Sequence, residues 1–130
     1  MADEVVAAGT RLCRLAEIRP GGSRSFTLGQ GDWPVRGLLV RNDDQVSAFV
    51  NRCPHAGHQL NFLSDNFLTA DGTLILCRSH GALFDKINGR CVFGPCVGEG
   101  LLPVPVALDD GGWIALTAAV NVDSLATRHW

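Results

Sequence analysis

"RCPHAGHQL", residues 52–60, places one cysteine and two histidines within six positions. "CRSHG", residues 77–81, repeats the theme with one cysteine and one histidine. Each stretch follows an apolar run, "SAFVN" before Cys53 and "TLIL" before Cys77. Each also has a glycine within two residues of a histidine, Gly57 after His55 and Gly81 after His80. Positions 56–76 separate His55 from Cys77, which gives the pattern C-x-H-x21-C-x2-H. A structural zinc site can use two Cys and two His, but zinc knuckles usually draw like ligands from one short stretch. Here each stretch offers one thiol and one imidazole. That distribution suits two metal ions side by side, with both stretches reaching across the pair. A zinc-stabilised interaction module remains the alternative reading of the same four residues.

Working outward, the chain reads as short strands between turn residues. "TRLCRLAEI" (10–18) and "RSFTLG" (24–29) are expected strands, separated by "PGGS". Residues 35–51 read as a hairpin with arms 37–41 and 46–50 joined by "NDDQ". "DGTLILC" reads as a turn and an apolar strand running into Cys77. "ALFDKINGRCVFG" carries Asn88-Gly89 between two apolar runs, a strong hairpin signal. "VPVALDDGGWIALT" repeats that form around "DDGG". "NFLSDNFL" (61–68) is the nearest approach to a helix, at one or two turns, and the tail at 118–130 is a short helix or a loose end. Fifteen glycines and six prolines among such strands suit an antiparallel sandwich or barrel. The 130 residues are read as one domain, with the site within about residues 50–97.

Composition narrows the function. Hydrophobic residues make up 46% and charged residues 18%, which allows a core and excludes a disordered chain. The net charge of −2 gives no basic face for nucleic acid. "MADEVVAAG" has acids where a secretory leader needs basic residues, and no apolar run reaches the length of a membrane span. The expectation is a cytoplasmic protein without a membrane contact. Five cysteines, an odd number, then argue against a disulfide framework and for metal ligation by some of them. Cys13 is expected in the core. Cys91 and Cys96 are expected as buried free thiols rather than a redox pair. Trp113, in a strand, is expected in the core, while Arg52 and Arg78 read as solvated.

Taken together, "CPHAGHQL" and "CRSHGALFD" resemble the two cluster-binding loops of the Rieske [2Fe–2S] family. Cys53, His55, Gly57 and Leu60 match its first loop, and Cys77, His80 and Gly81 its second. "INGRCVFGPC" resembles the hairpin and Gly-Pro stretch that shield the cluster, and "LLPVPVAL" the strand beyond. The interval between the loops is longer than in most members.

The resemblance implies an all-β fold, a Rieske-type antiparallel β sandwich with the cluster held by two loops at one tip. It implies one [2Fe–2S] cluster, with Cys53 and Cys77 on one iron and His55 and His80 on the other. Replacing two of four thiolates by neutral imidazoles removes two negative charges and raises the potential above that of four-cysteine ferredoxins.

Respiratory members place a hydroxyl two residues after the second histidine and a tyrosine two further on. Here those positions are Ala82 and Phe84. Their loop disulfide also has no counterpart, since His58 and Ser79 stand at the corresponding positions. His58 itself is read as a loop residue rather than a ligand.

The implied function is a soluble, low-potential ferredoxin that takes single electrons from a flavoprotein reductase and delivers them to a terminal oxygenase. It would be an electron-transfer component rather than an enzyme. The alternative is a Rieske-like small subunit of a larger oxidoreductase, of the nitrite reductase type.

Overall fold

A computed structural model describes residues 4–30, 34–54, 60, 66–78 and 81–127, the side chains of 123, 126 and 127 excepted. The central element is a three-stranded antiparallel meander of β3 (Ser23–Leu28), β4 (Val35–Asn42) and β5 (Gln45–Val50). β4 is the middle strand and carries the run Leu38-Leu39-Val40, all fully buried. Alternation sends successive side chains to opposite faces. Leu38, Val40 and Phe49 therefore enter one core, and Leu39, Ala48 and Val50 another. The register agrees, with Leu38 opposite Phe49 and Leu39 opposite Ala48. The meander is thus a wall with a separate apolar cluster on each side. Each fully buried Leu or Val contributes about 1.5–3 kcal/mol.

On one side, β2 (Arg11–Arg14), β10 (Trp113–Leu116) and β9 (Val106–Leu108) form a sheet in the order β2-β10-β9. Cys13, Ile114 and Leu116 bring it onto the second core, so Cys13 lies in the core as its sequence context suggests. Arg11 Nε bonds Asp109 Oδ2 at 2.8 Å, and the Arg11 and Arg14 guanidiniums lie over the Trp113 ring. Trp113 is only half-buried, because those two cations cover one face in place of core side chains. A two-stranded pair, β1 (Val5–Val6) with β11 (Val120–Asn121), ties the two ends of the described chain together. The tail then forms α1 (Val122–Thr127), and Val122 is buried in the same core.

On the other side, β6 (Leu74–Leu76), β7 (Leu83–Asp85) and β8 (Cys91–Phe93) form the sheet that carries the first core. The β7–β8 hairpin forms, but its connection is longer than a two-residue Asn-Gly turn. The Asp85 carboxylate accepts the N–H groups of Ile87 and Asn88 at 2.7 and 3.0 Å, which widens the turn to residues 86–90. Residues 66–68 are extended rather than helical, since Leu68 bridges Ile75 and the Leu76 N–H donates to the Phe67 carbonyl. The rest of the helical expectation, 61–65, lies outside the described residues. Among the described residues, no helix is long and apolar enough to cross a membrane.

Both loops of interest leave this framework at one end, the first after β5 and the second between β6 and β7. Asn51, the only buried polar residue among those described, joins them. Its Oδ1 accepts the Leu60 N–H at 2.7 Å, closing the first loop across nine residues. The Leu60 carbonyl in turn accepts the Arg78 N–H, at 2.8 Å, from the second loop. Replacing Asn51 by Leu keeps the count and branching of side-chain heavy atoms and leaves the Leu60 N–H without its acceptor. The expected cost is about 1–3 kcal/mol in urea unfolding of the isolated protein. An unchanged midpoint would remove Asn51 from this role.

Candidate metal centre

Cys53 lies three residues past the end of β5 and Cys77 one past the end of β6. Both are completely shielded from solvent and both belong to the same apolar cluster. The second loop closes on itself. The Cys77 N–H donates to the Ala82 carbonyl and the Gly81 N–H to the Cys77 carbonyl, each at 2.9 Å. Gly81 has φ +73°, a left-handed conformation that costs a residue with a Cβ energy and costs glycine little. His55, His58, His80 and Gly57 lie outside the described residues, so the structure brings together Cys53, Cys77, Leu60 and Gly81 of the expected site.

Leu60 fills the floor of the site and is fully buried. Ala82 and Phe84 are fully buried beside the second loop, and neither side chain can donate a hydrogen bond. The turn after β8 covers this loop. A Cβ on Gly94 would meet Ala82 Cα at 2.9 Å, and the φ of Gly94 is +105°, so only glycine permits the contact. Cys91 and Cys96 sit under the same turn in the same apolar cluster. The Cys96 thiol donates to Cys91 Sγ at 2.7 Å. Burial first, and then that contact, push the Cys96 thiol well above its ordinary range, and the nearby Cys53 adds to the effect. All five cysteines are free, four of them gathered around the site and Cys13 across the wall.

The donor set suits a thiophilic iron cluster. Two free thiols kept from water can serve as thiolate ligands, and the apolar floor lowers the dielectric around the group they would hold. Asn51 was not singled out from the sequence. Its signal was there, since it is a polar residue directly after the buried run "AFV" and two positions before Cys53.

Comparison with known proteins agrees with this chemistry. The family profile for the Rieske [2Fe-2S] domain matches residues 9–116. No curated protein matches the sequence significantly. Among solved structures, the ferredoxin of carbazole 1,9a-dioxygenase from Nocardioides aromaticivorans IC177 is similar at 26% identity and TM-score 0.65. That alignment covers 85% of this chain and 98% of the other. The Sphingomonas yanoikuyae B1 ferredoxin is similar at 26% identity and TM-score 0.63, over 84% and 97%. The terminal oxygenase of the Nocardioides system shares the fold at 23% identity and TM-score 0.66, over 84% of this chain and 29% of its own. The two ferredoxins support a Rieske-type electron carrier, and a Rieske domain implies one [2Fe–2S] cluster. The chain belongs to the Rieske [2Fe-2S] domain family.

Proposed function

We propose that the protein is a low-potential Rieske ferredoxin that accepts single electrons from a flavoprotein reductase and passes them to a terminal oxygenase. Cys53, His55, Cys77 and His80 are its four ligands in this reading, the thiols on one iron and the imidazoles on the other. The observation that carries it is the pair of fully buried thiols, one on each of two hydrogen-bonded loops, inside a Rieske domain. The cluster, when bound, supplies reversible one-electron chemistry. The protein's own residues do the rest. Leu60, Ala82 and Phe84 exclude water, while Asn51 and the Leu60 carbonyl hold the loops in register.

One observation favours the low end of the family's potentials. Ala82 and Phe84 present no hydroxyl where one could stabilise added negative charge by hydrogen bonding. The expected potential is about −150 mV, at the lower limit for two-His clusters. Voltammetry of the loaded protein checks it, and a value well above zero contradicts it. Ala82→Ser and Phe84→Tyr are each expected to raise the potential, through a new donor near the ligand loop.

The delivery surface also has a candidate. Val92, Phe93 and Val97 are more than half exposed at the turn that covers the second loop. The Nocardioides ferredoxin to which this chain is similar belongs to a dioxygenase system, which supports an oxygenase as acceptor. Phe93→Asp is expected to slow electron delivery to a dioxygenase at least about tenfold, by charging an apolar contact. Its visible spectrum and potential should match those of the unsubstituted protein. Stopped-flow mixing of the reduced ferredoxin with the oxygenase reads the rate.

A further inference from the structure

Cys91 and Cys96 share the apolar cluster of Cys53 and Cys77 and are not among the proposed ligands. Cys91 opens β8, and Cys96 follows the Gly94-Pro95 turn five residues later. They are 6% and 2% exposed. The Cys96 thiol donates to Cys91 Sγ at 2.7 Å, and the Cys91 thiol donates to the Phe93 carbonyl at 3.3 Å. The two sulfurs already touch, so a disulfide bond of about 2.05 Å needs only a small further approach. The residues between them are short and surface-facing, with Phe93 and Val97 exposed on either side. Only this exposed segment separates the buried pair from solvent, so a small oxidant reaches it when the segment lifts.

We propose that Cys91 and Cys96 are a redox pair, a dithiol that a hydroperoxide converts to an intramolecular disulfide across the 94–96 turn. The hydrogen bond leaves the Cys91 sulfur as the acceptor, so it is the nucleophile. It attacks a peroxide oxygen, the O–O bond breaks, and Cys91 becomes a sulfenic acid while water or an alcohol leaves. The Cys96 sulfur then displaces the sulfenic oxygen. The S–S bond forms, the S–O bond breaks, and the departing oxygen leaves as water with the Cys96 proton. The two thiols lose two electrons and two protons, which the hydroperoxide receives.

The geometry gives the bond a consequence. Gly94 rests on Ala82, and the Ala82 carbonyl holds the Cys77 N–H. Closing 91 to 96 pins the turn onto the second loop. This consequence for the cluster rests on ligation by Cys77, whereas the pair's oxidation does not.

The test uses the cluster-loaded full chain and a small excess of hydrogen peroxide. The intact mass should fall by two hydrogens, peptide mapping should place the link between 91 and 96, and dithiothreitol should reverse it. In Cys96→Ser, dimedone should trap a sulfenic acid on Cys91. In the oxidised protein, amides of residues 94–98 should exchange ~tenfold more slowly than in the reduced one. Both thiols remaining open to alkylation would overturn the proposal. So would a link through Cys13, Cys53 or Cys77, or bleaching of the cluster before any 91–96 link forms. If the chain were isolated with zinc instead of iron, the mass and mapping results would still decide the pair, separately from the ferredoxin reading.

Discussion

The structure depends on β4 being apolar on both faces. A strand of that kind cannot lie on the outside of a two-layer sandwich, so it must have a core on each side. Leu39 and Val35 face the β2-β10-β9 sheet, while Leu38 and Val40 face the β6-β7-β8 sheet. The first side is held by strand pairing and by the Arg11–Asp109 bridge and is far from the ligand loops in the chain's architecture. The second side is small, with three strands of three residues each, and carries the loops. Its stability leans on the wall and on whatever the loops hold, and few residues of regular structure are spent on it.

That division explains why a single buried asparagine matters at the junction. The first loop starts from the wall and the second from the small sheet. Among the described residues, no strand pairing joins them. The Asn51 side chain and the Leu60 carbonyl supply the joint, one by closing the first loop and the other by bonding Arg78. A buried polar side chain costs free energy unless its bonds are made, so a satisfied one specifies a unique arrangement. In the proposed reading, the apolar lining contributed by Leu60, Ala82 and Phe84 offers the cluster no side-chain donor, which would leave an added electron less stabilised.

The described part of the candidate site, Cys53 and Cys77, was legible in the sequence because its information is local. Cys53 and Cys77 stand just after apolar strands that formed where alternation and turn residues placed them, whereas the expected strand over 10–18 forms only at Arg11–Arg14 and gives way to a 3-10 turn at Leu15–Glu17. The meander arms, the β9–β10 hairpin around "DDGG" and the core position of Cys13 follow from the same local cues. Other features depend on partners distant in the chain. Trp113 is only half-buried because Arg11 and Arg14, about a hundred residues earlier, cover its ring in place of core side chains. Residues 66–68 became extended because Ile75 offered a bridge that outweighed a weak helical pattern. The Cys91–Cys96 contact required the exact path of the Gly94 turn, which cysteine spacing alone does not give.

The central claim is that two thiols and two imidazoles hold one two-iron cluster. Pulsed EPR of the dithionite-reduced protein tests it most directly, because nitrogen ligands couple magnetically to the reduced cluster. Couplings from two imidazole nitrogens are predicted, with one lost in His55→Cys and one in His80→Cys. A reduced protein without nitrogen coupling, or a colourless protein with stoichiometric zinc and no signal, would contradict the account.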